Sequence, residues 1–373
     1  MRRVSANYII PVSSPPLKNG IIEFDDSGRI SSLIDTGGNL KESANLEFYN
    51  GLLVPGFINP YCRIEPFIID IPRKDPHQPE FSIDTEYSEV RDDLGIHSRF
   101  RELERILKNS GICGLGSVSS NHHFFSNKSA GKLKYHSFIE VCQQKGADSF
   151  EIFNHAVEVI MTGWNEYNLM CSLIPFDSCS DKEIATLVAE FTVTHYNPVI
   201  LKCQDKSVSS ESLLIDFSES LARITGKSAD AALNSFNSPI IFPVTDLSGF
   251  ILELKSDIFY LLSIEDFQRT GLMTLSKDIL KKISNHILFS SYGSGFHTHY
   301  PIISELIILQ SKIPSLSINE LLRSCTINPA RALKMDKYLG SLEPGKAPGI
   351  NLITNIDFSE MKLTEKSELK ALI

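Results

Sequence analysis

The 373-residue chain predicts an α/β protein, a (β/α)8 barrel of the TIM type joined to a small β-sandwich made from both chain ends. Three observations predict it. From Leu52 onward, short apolar runs alternate with amphipathic runs, the pattern of parallel strands joined by helices. Eight such apolar runs fit into about 290 residues, close to the ~250 typical of this barrel. The residues before them read instead as short strands broken by turns, with a matching strand near the other end.

The elements follow in order. Tyr8–Val12, Gly20–Phe24 and Arg29–Ile34 are strand-like and are separated by Pro15-Pro16 and by Asp25-Asp26-Ser27-Gly28. The second separator is a hairpin turn, because Asp and Gly tolerate the positive φ such turns require. Gly349–Ile353 supplies a returning strand, so residues 1–53 and 340–373 form the small domain and 54–339 the barrel. The eight barrel strands are Val54–Asn59, Ile112–Val118, Ile152–Ile160, Met170–Ile174, Val199–Cys203, Ile240–Val244, Ile258–Leu262 and Ile287–Ser290. Between them, Ile96–Lys108 places Phe100, Leu103, Ile106 and Leu107 on one helical face. Asp181–Thr194 starts at Ser180, with Glu183 completing a capping box. Ser212–Ile224 and Ile302–Gln310 are also helical, and the third helix, Thr162–Leu169, is short. Residues 66–95 form a long insertion, and loops beyond ~15 residues are usually functional or disordered.

Composition excludes several function classes. Hydrophobic content of 42% and charged content of 22% are ordinary for a globular protein. A net charge of −9 argues against nucleic-acid binding. No apolar run approaches the ~20 residues a membrane span needs. Met1-Arg2-Arg3 is followed by Val4–Val12, too polar and short for a signal core, so the expected location is cytoplasmic. The seven cysteines (62, 113, 142, 171, 179, 203, 325) include no C-x-x-C pair and read as reduced thiols.

Two stretches carry a family resemblance. Gly51–Glu65 reads GLLVPGFINPYCRIE, and Ser317–Leu333 reads SINELLRSCTINPARAL, followed by LGSLEPGK at Leu339–Lys346. Together they resemble the first barrel strand and the post-barrel helices of the amidohydrolase superfamily, the metal-dependent deaminases and cyclic-amide hydrolases. The flavour is that of the aminofutalosine and nucleoside deaminase branch. Asn328-Pro329 starts a helix with Pro in its first position, and Glu343–Lys346 is the turn back to the small domain. Ala347-Pro348 stands where the family has Ala-Asp.

The resemblance implies five metal ligands at the C-terminal ends of the strands. A zinc-type ion needs converging imidazoles and a carboxylate, with one position open for water, whose pKa it lowers to about 7. Here Tyr61 and Arg63 stand at the two strand-one histidines. Lys202 stands at the strand-five histidine, Pro243 at the strand-six histidine and Tyr292 at the strand-eight aspartate. Pro175–Cys179 lacks the histidine expected after strand four. Asp205 keeps the family's acidic general acid/base position and is the one catalytic candidate. The expectation is therefore an amidohydrolase-like protein that has lost its metal site, needs no cofactor, performs no hydrolysis and serves as a ligand-binding or partner subunit. The alternative is a hydrolase or deaminase of C–N bonds other than peptide bonds, using metal-free chemistry or a relocated metal. Whether the chain is an enzyme stays open.

The remaining polar residues each carry two readings. His122-His123 and His297-Thr298-His299 fall on the expected rim, either as loop histidines or as a relocated zinc site. His97, His136, His155 and His195 read as helix or core residues, and Cys62 as a side chain pointing into the helix layer. Glu158, on the expected third strand, is either a pocket carboxylate or a structural one. Tyr61, Arg63, Glu158, Lys202 and Tyr292 form the ligand-binding set, suited to a small carboxylate or phosphate. The competing reading is an internal salt bridge from Arg63 to Asp205 or Glu158. The partners expected are a small anion and a second copy or an active paralogue, with no nucleic acid and no membrane.

Overall fold

The computed structural model describes residues 1–41, 43–65, 68, 94–141, 147–175, 181–201, 210–243, 257–263, 281–291 and 302–373. Both chain ends enter one hydrogen-bonded sheet. Its strands are β1 (Arg2–Ile9), β2 (Leu17–Lys18), β3 (Ile21–Phe24), β4 (Ile30–Ile34), β5 (Leu46–Pro55), and, from the other end, β14 (Ile350–Thr354) and β15 (Glu368–Ala371). The seven-stranded order is β15-β14-β5-β1-β3-β4, with β2 paired to β1. Alternation along these strands sends Val4, Ile22, Leu53 and Ile350 into one apolar cluster. The turn at Asp25 closes as the sequence implies, with Gly28 at φ 78° and its N–H on the Asp25 carbonyl at 3.0 Å. The turn at Glu343 also returns to this sheet, because Gly345 N–H and Ile30 N–H bond Ile30 O and Lys346 O at 2.8 Å each.

The rest is parallel α/β. One four-stranded sheet runs β6 (Phe57–Cys62), β7 (Ile112–Ser119), β8 (Lys134–Glu140), β9 (Met170–Ile174). The other runs β10 (Val199–Ile200), β11 (Ile240–Pro243), β12 (Ile258–Ser263), β13 (Ile287–Ser290). The helices are α1 (Leu94–Asn109), α2 (Phe125–Ala130), α3 (Ser149–Tyr167), α4 (Lys182–His195), α5 (Ser210–Thr225), α6 (Ala229–Ser235), α7 (Ile302–Lys312), α8 (Ile318–Ser324) and α9 (Ile327–Ala332). No helix among the described residues is long and apolar enough to cross a membrane.

Strand alternation sorts the side chains into two layers. Cys62, Leu115, Ile139, Leu173 and Phe289 pack with helix residues such as Phe100 and Leu306. Their neighbours Tyr61, Val118, Phe138, Ile174, Ile241 and Leu288 form a second cluster that draws on both four-stranded sheets. The sheets meet at β6 and β13, where Ser290 Oγ donates to Tyr61 O at 2.6 Å and Asn59 Nδ2 to Ser291 O at 2.8 Å. Below, Asn328 of α9 is wholly buried and donates to Ser284 O (3.0 Å) and Ile287 O (2.9 Å), which explains an amide in an apolar setting. Thr326 precedes α9, so Pro329 is its third residue rather than its first.

Several elements differ from expectation. The first strand is Arg2–Ile9 rather than Tyr8–Val12, and the first barrel strand is Phe57–Cys62 rather than Val54–Asn59, because Val54 and Pro55 belong to β5 and pair with Asn351 and Ile350. Ile152–Ile160 is not the third strand but the middle of α3, and the third strand is β8. Asp148 caps α3 in a capping box with Glu151, and the buried positions Ile152, Phe153, Ala156, Val159 and Ile160 follow helical spacing. The cap of α4 is Asp181, which accepts from Glu183 N at 2.8 Å and Ile184 N at 3.3 Å; Ser180 lies outside the described residues. Replacing Asp148 with Ala removes the cap of a 19-residue helix and is expected to cost about 1 kcal/mol in a urea melt.

Candidate functional site

The strand-one end reads Tyr61-Cys62-Arg63-Ile64-Glu65, and every one of these residues is buried. Tyr61 belongs to the inner cluster, and two positions on, Arg63 extends in the same sense. Glu140 lies two positions beyond Phe138, another inner-cluster residue, at the end of β8. The side chains of Arg63 and Glu140 therefore meet across β7. They form a two-pronged pair: Nη1 donates to Oε2 at 2.9 Å, and Nη2 donates to Oε1. The Arg63 and Glu140 side chains are only 8% and 2% exposed, so this pair is shielded from water. Bidentate guanidinium–carboxylate contacts are among the strongest charge-assisted hydrogen bonds. Among the described residues the carboxylate that Arg63 meets is Glu140 and not Glu158; Asp205 lies outside the described residues.

Glu158 is corrected in position. It sits on the exposed side of α3, because the apolar stripe of that helix faces the sheet and leaves position 158 toward solvent. It is no pocket residue.

On the helix side of the same strand ends, a second buried charge pair gathers. Lys128 of α2 lies 3.9 Å from Glu65 and donates to Ser119 Oγ at 2.7 Å and Ser137 Oγ at 3.5 Å. Burial pushes the Lys128 ammonium down from its usual range, with the Glu65 charge opposing. Neither carboxylate oxygen of Glu65 has a hydrogen-bond partner among the described residues. Cys62 points into this layer, as its position implies, and burial lifts its thiol to about 12 against the pull of Lys128. It is a thiol, not a thiolate, at neutral pH, which removes it as a nucleophile. At the end of β13, Ser291 Oγ donates to Glu305 of α7 at 2.8 Å.

His122 and His123 are exposed after β7, with ring centroids 5.7 Å apart. His297, His299, Lys202, Asp205 and Tyr292 lie outside the described residues, and of Pro243 only the backbone, in β11, is described. Glu65, Lys128, Glu140 and Glu305 were missed in the sequence. Glu65 was legible, since it closes the quoted strand-one stretch. Glu140 was hidden by the misplaced third strand.

The amidohydrolase family model matches residues 270–368. No curated protein matches the sequence. Solved structures do. Helicobacter pylori aminofutalosine deaminase, in complex with methylthio-coformycin, is 15% identical, with all of both chains covered and a TM-score of 0.66. A zinc-bound adenosine deaminase from Xanthomonas campestris is 12% identical over 97% of this chain and 86% of its own, TM-score 0.59. The guanine deaminase of C. acetobutylicum, with bound guanine, is 14% identical over 94% and 90%, TM-score 0.61. The stretch Ser317–Lys346 lies inside the residues that the family model matches, and the likeness to the solved structures is one of fold.

Zinc in one of these structures raises the question of whether this chain's residues suit a metal. At strand one they do not. A guanidinium has no lone pair to offer, Arg63 is already engaged by Glu140, and Tyr61 would first have to lose its phenolic proton. Among the described residues, no group of three or more His, Cys, Asp or Glu is placed to hold an ion.

Proposed function

We propose that this amidohydrolase-superfamily chain is a hydrolase of C–N bonds other than peptide bonds, of the deaminase type. It would work at the C-terminal ends of β6–β13, taken together as one (β/α)8 barrel over residues 54–339. Residues 1–53 and 340–373 would form the second domain. The observation that carries this reading is the likeness to aminofutalosine deaminase over the full length of both chains. The site adds support, because the buried charges Arg63, Glu140, Glu65 and Lys128 gather where parallel α/β enzymes place their chemistry. With strand one closed to a metal, the chemistry would rest on Asp205 or on a relocated ion at His122, His123, His297 and His299. The ligand set Tyr61, Lys202 and Tyr292 would hold a small anionic substrate.

The test is ammonia release from amino-purines, aminofutalosine-type nucleosides and amino-triazines by the purified chain, with and without added zinc. Release from one class is the expected result. A second reading has its own observation: Arg63 locked to Glu140 suits a non-hydrolytic subunit that binds a small anion, a second copy or an active paralogue. Thermal stabilisation by substrate analogues with no ammonia from any class would favour it.

A further inference from the structure

We infer that the Arg63–Glu140 pair takes over the structural and electrostatic place of a strand-one metal ion, so that this end of the sheet is held together without one. The inference concerns the same site as the proposed function and rests on that reading only for what the site does, not for how it is held.

A metal at the end of β6 would do two things. It would tie this strand to other strand ends through its ligands, and it would put fixed positive charge at the inner face. Arg63 does both with protein atoms. Its guanidinium carries a permanent charge that no physiological pH removes. Its two terminal nitrogens grip both oxygens of Glu140, which ties β6 to β8 across the intervening β7. Tyr61, one inward position earlier, is 1% exposed and fills space in the inner cluster together with Val118 and Phe138. An imidazole pair at 61 and 63 would leave Glu140 facing histidines; here the carboxylate is neutralised at once by a group that cannot dissociate. The second buried pair, Lys128 with Glu65, lies on the helix side of the same strand end, so both faces of the β6 terminus are closed by ion pairs.

The experiment measures bound metal and melting temperature of the full chain. His122→Ala/His123→Ala/His297→Ala/His299→Ala, which removes the relocated-ion candidates, is expected to hold well under one equivalent of zinc after dialysis against zinc, and to melt at the same temperature with and without a chelator. Arg63→Met, which takes the guanidinium from the buried Glu140 carboxylate, is expected to melt lower. In the double variant Arg63→Met/Glu140→Gln, much of that loss should return, a non-additivity only a direct pair gives. Arg63→His, which sets an imidazole beside Glu140, is expected to gain zinc-dependent stabilisation that wild type lacks. One equivalent of zinc in that four-histidine variant, with melting lowered by chelation, overturns the inference, as do additive losses in the double variant. These outcomes separate from the proposed function. Ammonia release insensitive to chelator upholds both; release abolished by chelator, with melting of the four-histidine variant also lowered, sinks this inference alone; no release from a metal-free, pair-stabilised chain sinks only the hydrolase reading.

Discussion

Glu140→Ala is expected to lower the unfolding free energy by about 3–5 kcal/mol, read as a fall in urea midpoint at constant slope. The carboxylate is 2% exposed and accepts both terminal nitrogens of Arg63. Its removal takes the bidentate carboxylate from a guanidinium whose side chain is only 8% exposed. The cost comes from keeping a buried cation with less compensation rather than from the lost attraction itself, since two charges taken out of water gain little net free energy by pairing. The same reasoning predicts that an apolar pair of similar volume is tolerated. Glu140→Ala with wild-type stability would mean that Arg63 finds another carboxylate at no cost. An exposed control such as Glu102→Ala, on the outer face of α1 and paired with Arg105 at 54% and 62% exposure, should change stability by less than about 1 kcal/mol.

The chain's two ends were the most legible part of the sequence. Pro-Gly at 55–56 and the phrase from Ser317 to Lys346 fixed the entry to β6 and the exit through α8 and α9, because turn residues have few alternative uses. The third strand was not legible. Lys134–Glu140 reads KYHSFIE, with His, Ser and Glu at three of its seven positions, so an apolar search passes over it. Those polar residues are satisfied only in three dimensions: His136 by Leu333 and Ser172, Ser137 near Lys128, and Glu140 by Arg63. The neighbouring apolar run 152–160 took its place, although spacing of four and seven residues between Ile152, Ala156 and Val159 marked it as helical. This one exchange hid Glu140 and promoted Glu158. The inward direction of Tyr61 and the outward direction of Cys62 were legible from strand alternation alone and agree with the two apolar layers.

His136 supplies a pH dependence whose sign follows from its surroundings. The ring is 3% exposed, lies in the middle of β8, and stacks on Phe138 with centroids 4.8 Å apart. Burial pushes its pKa down from 6.5 to about 4; the hydrogen bond to Leu333 O opposes this, and the nearby Lys334 charge adds to it. The carbonyl of Leu333, 3.0 Å from Nδ1, can only accept, so Nδ1 carries the proton, and Nε2 accepts from Ser172 Oγ at 2.7 Å. The neutral ring is thus fully satisfied, and a second proton would displace the Ser172 donor. In the unfolded chain the imidazole protonates near its ordinary value, while in the folded chain it refuses the proton until about 4. The unfolded state then binds more protons throughout that interval, so stability falls as pH falls from 6.5 to about 4 and is fully present above it. A shift of this size corresponds to about 3 kcal/mol. Carboxylates elsewhere also lose stability in acid, so the informative quantity is the difference between wild type and His136→Gln, which keeps a polar group but does not titrate. Urea midpoints taken at about pH 7 and about pH 4.5 should show wild type losing more stability than the variant by most of that amount. Equal losses in the two proteins would show that His136 is protonated in the fold as readily as out of it.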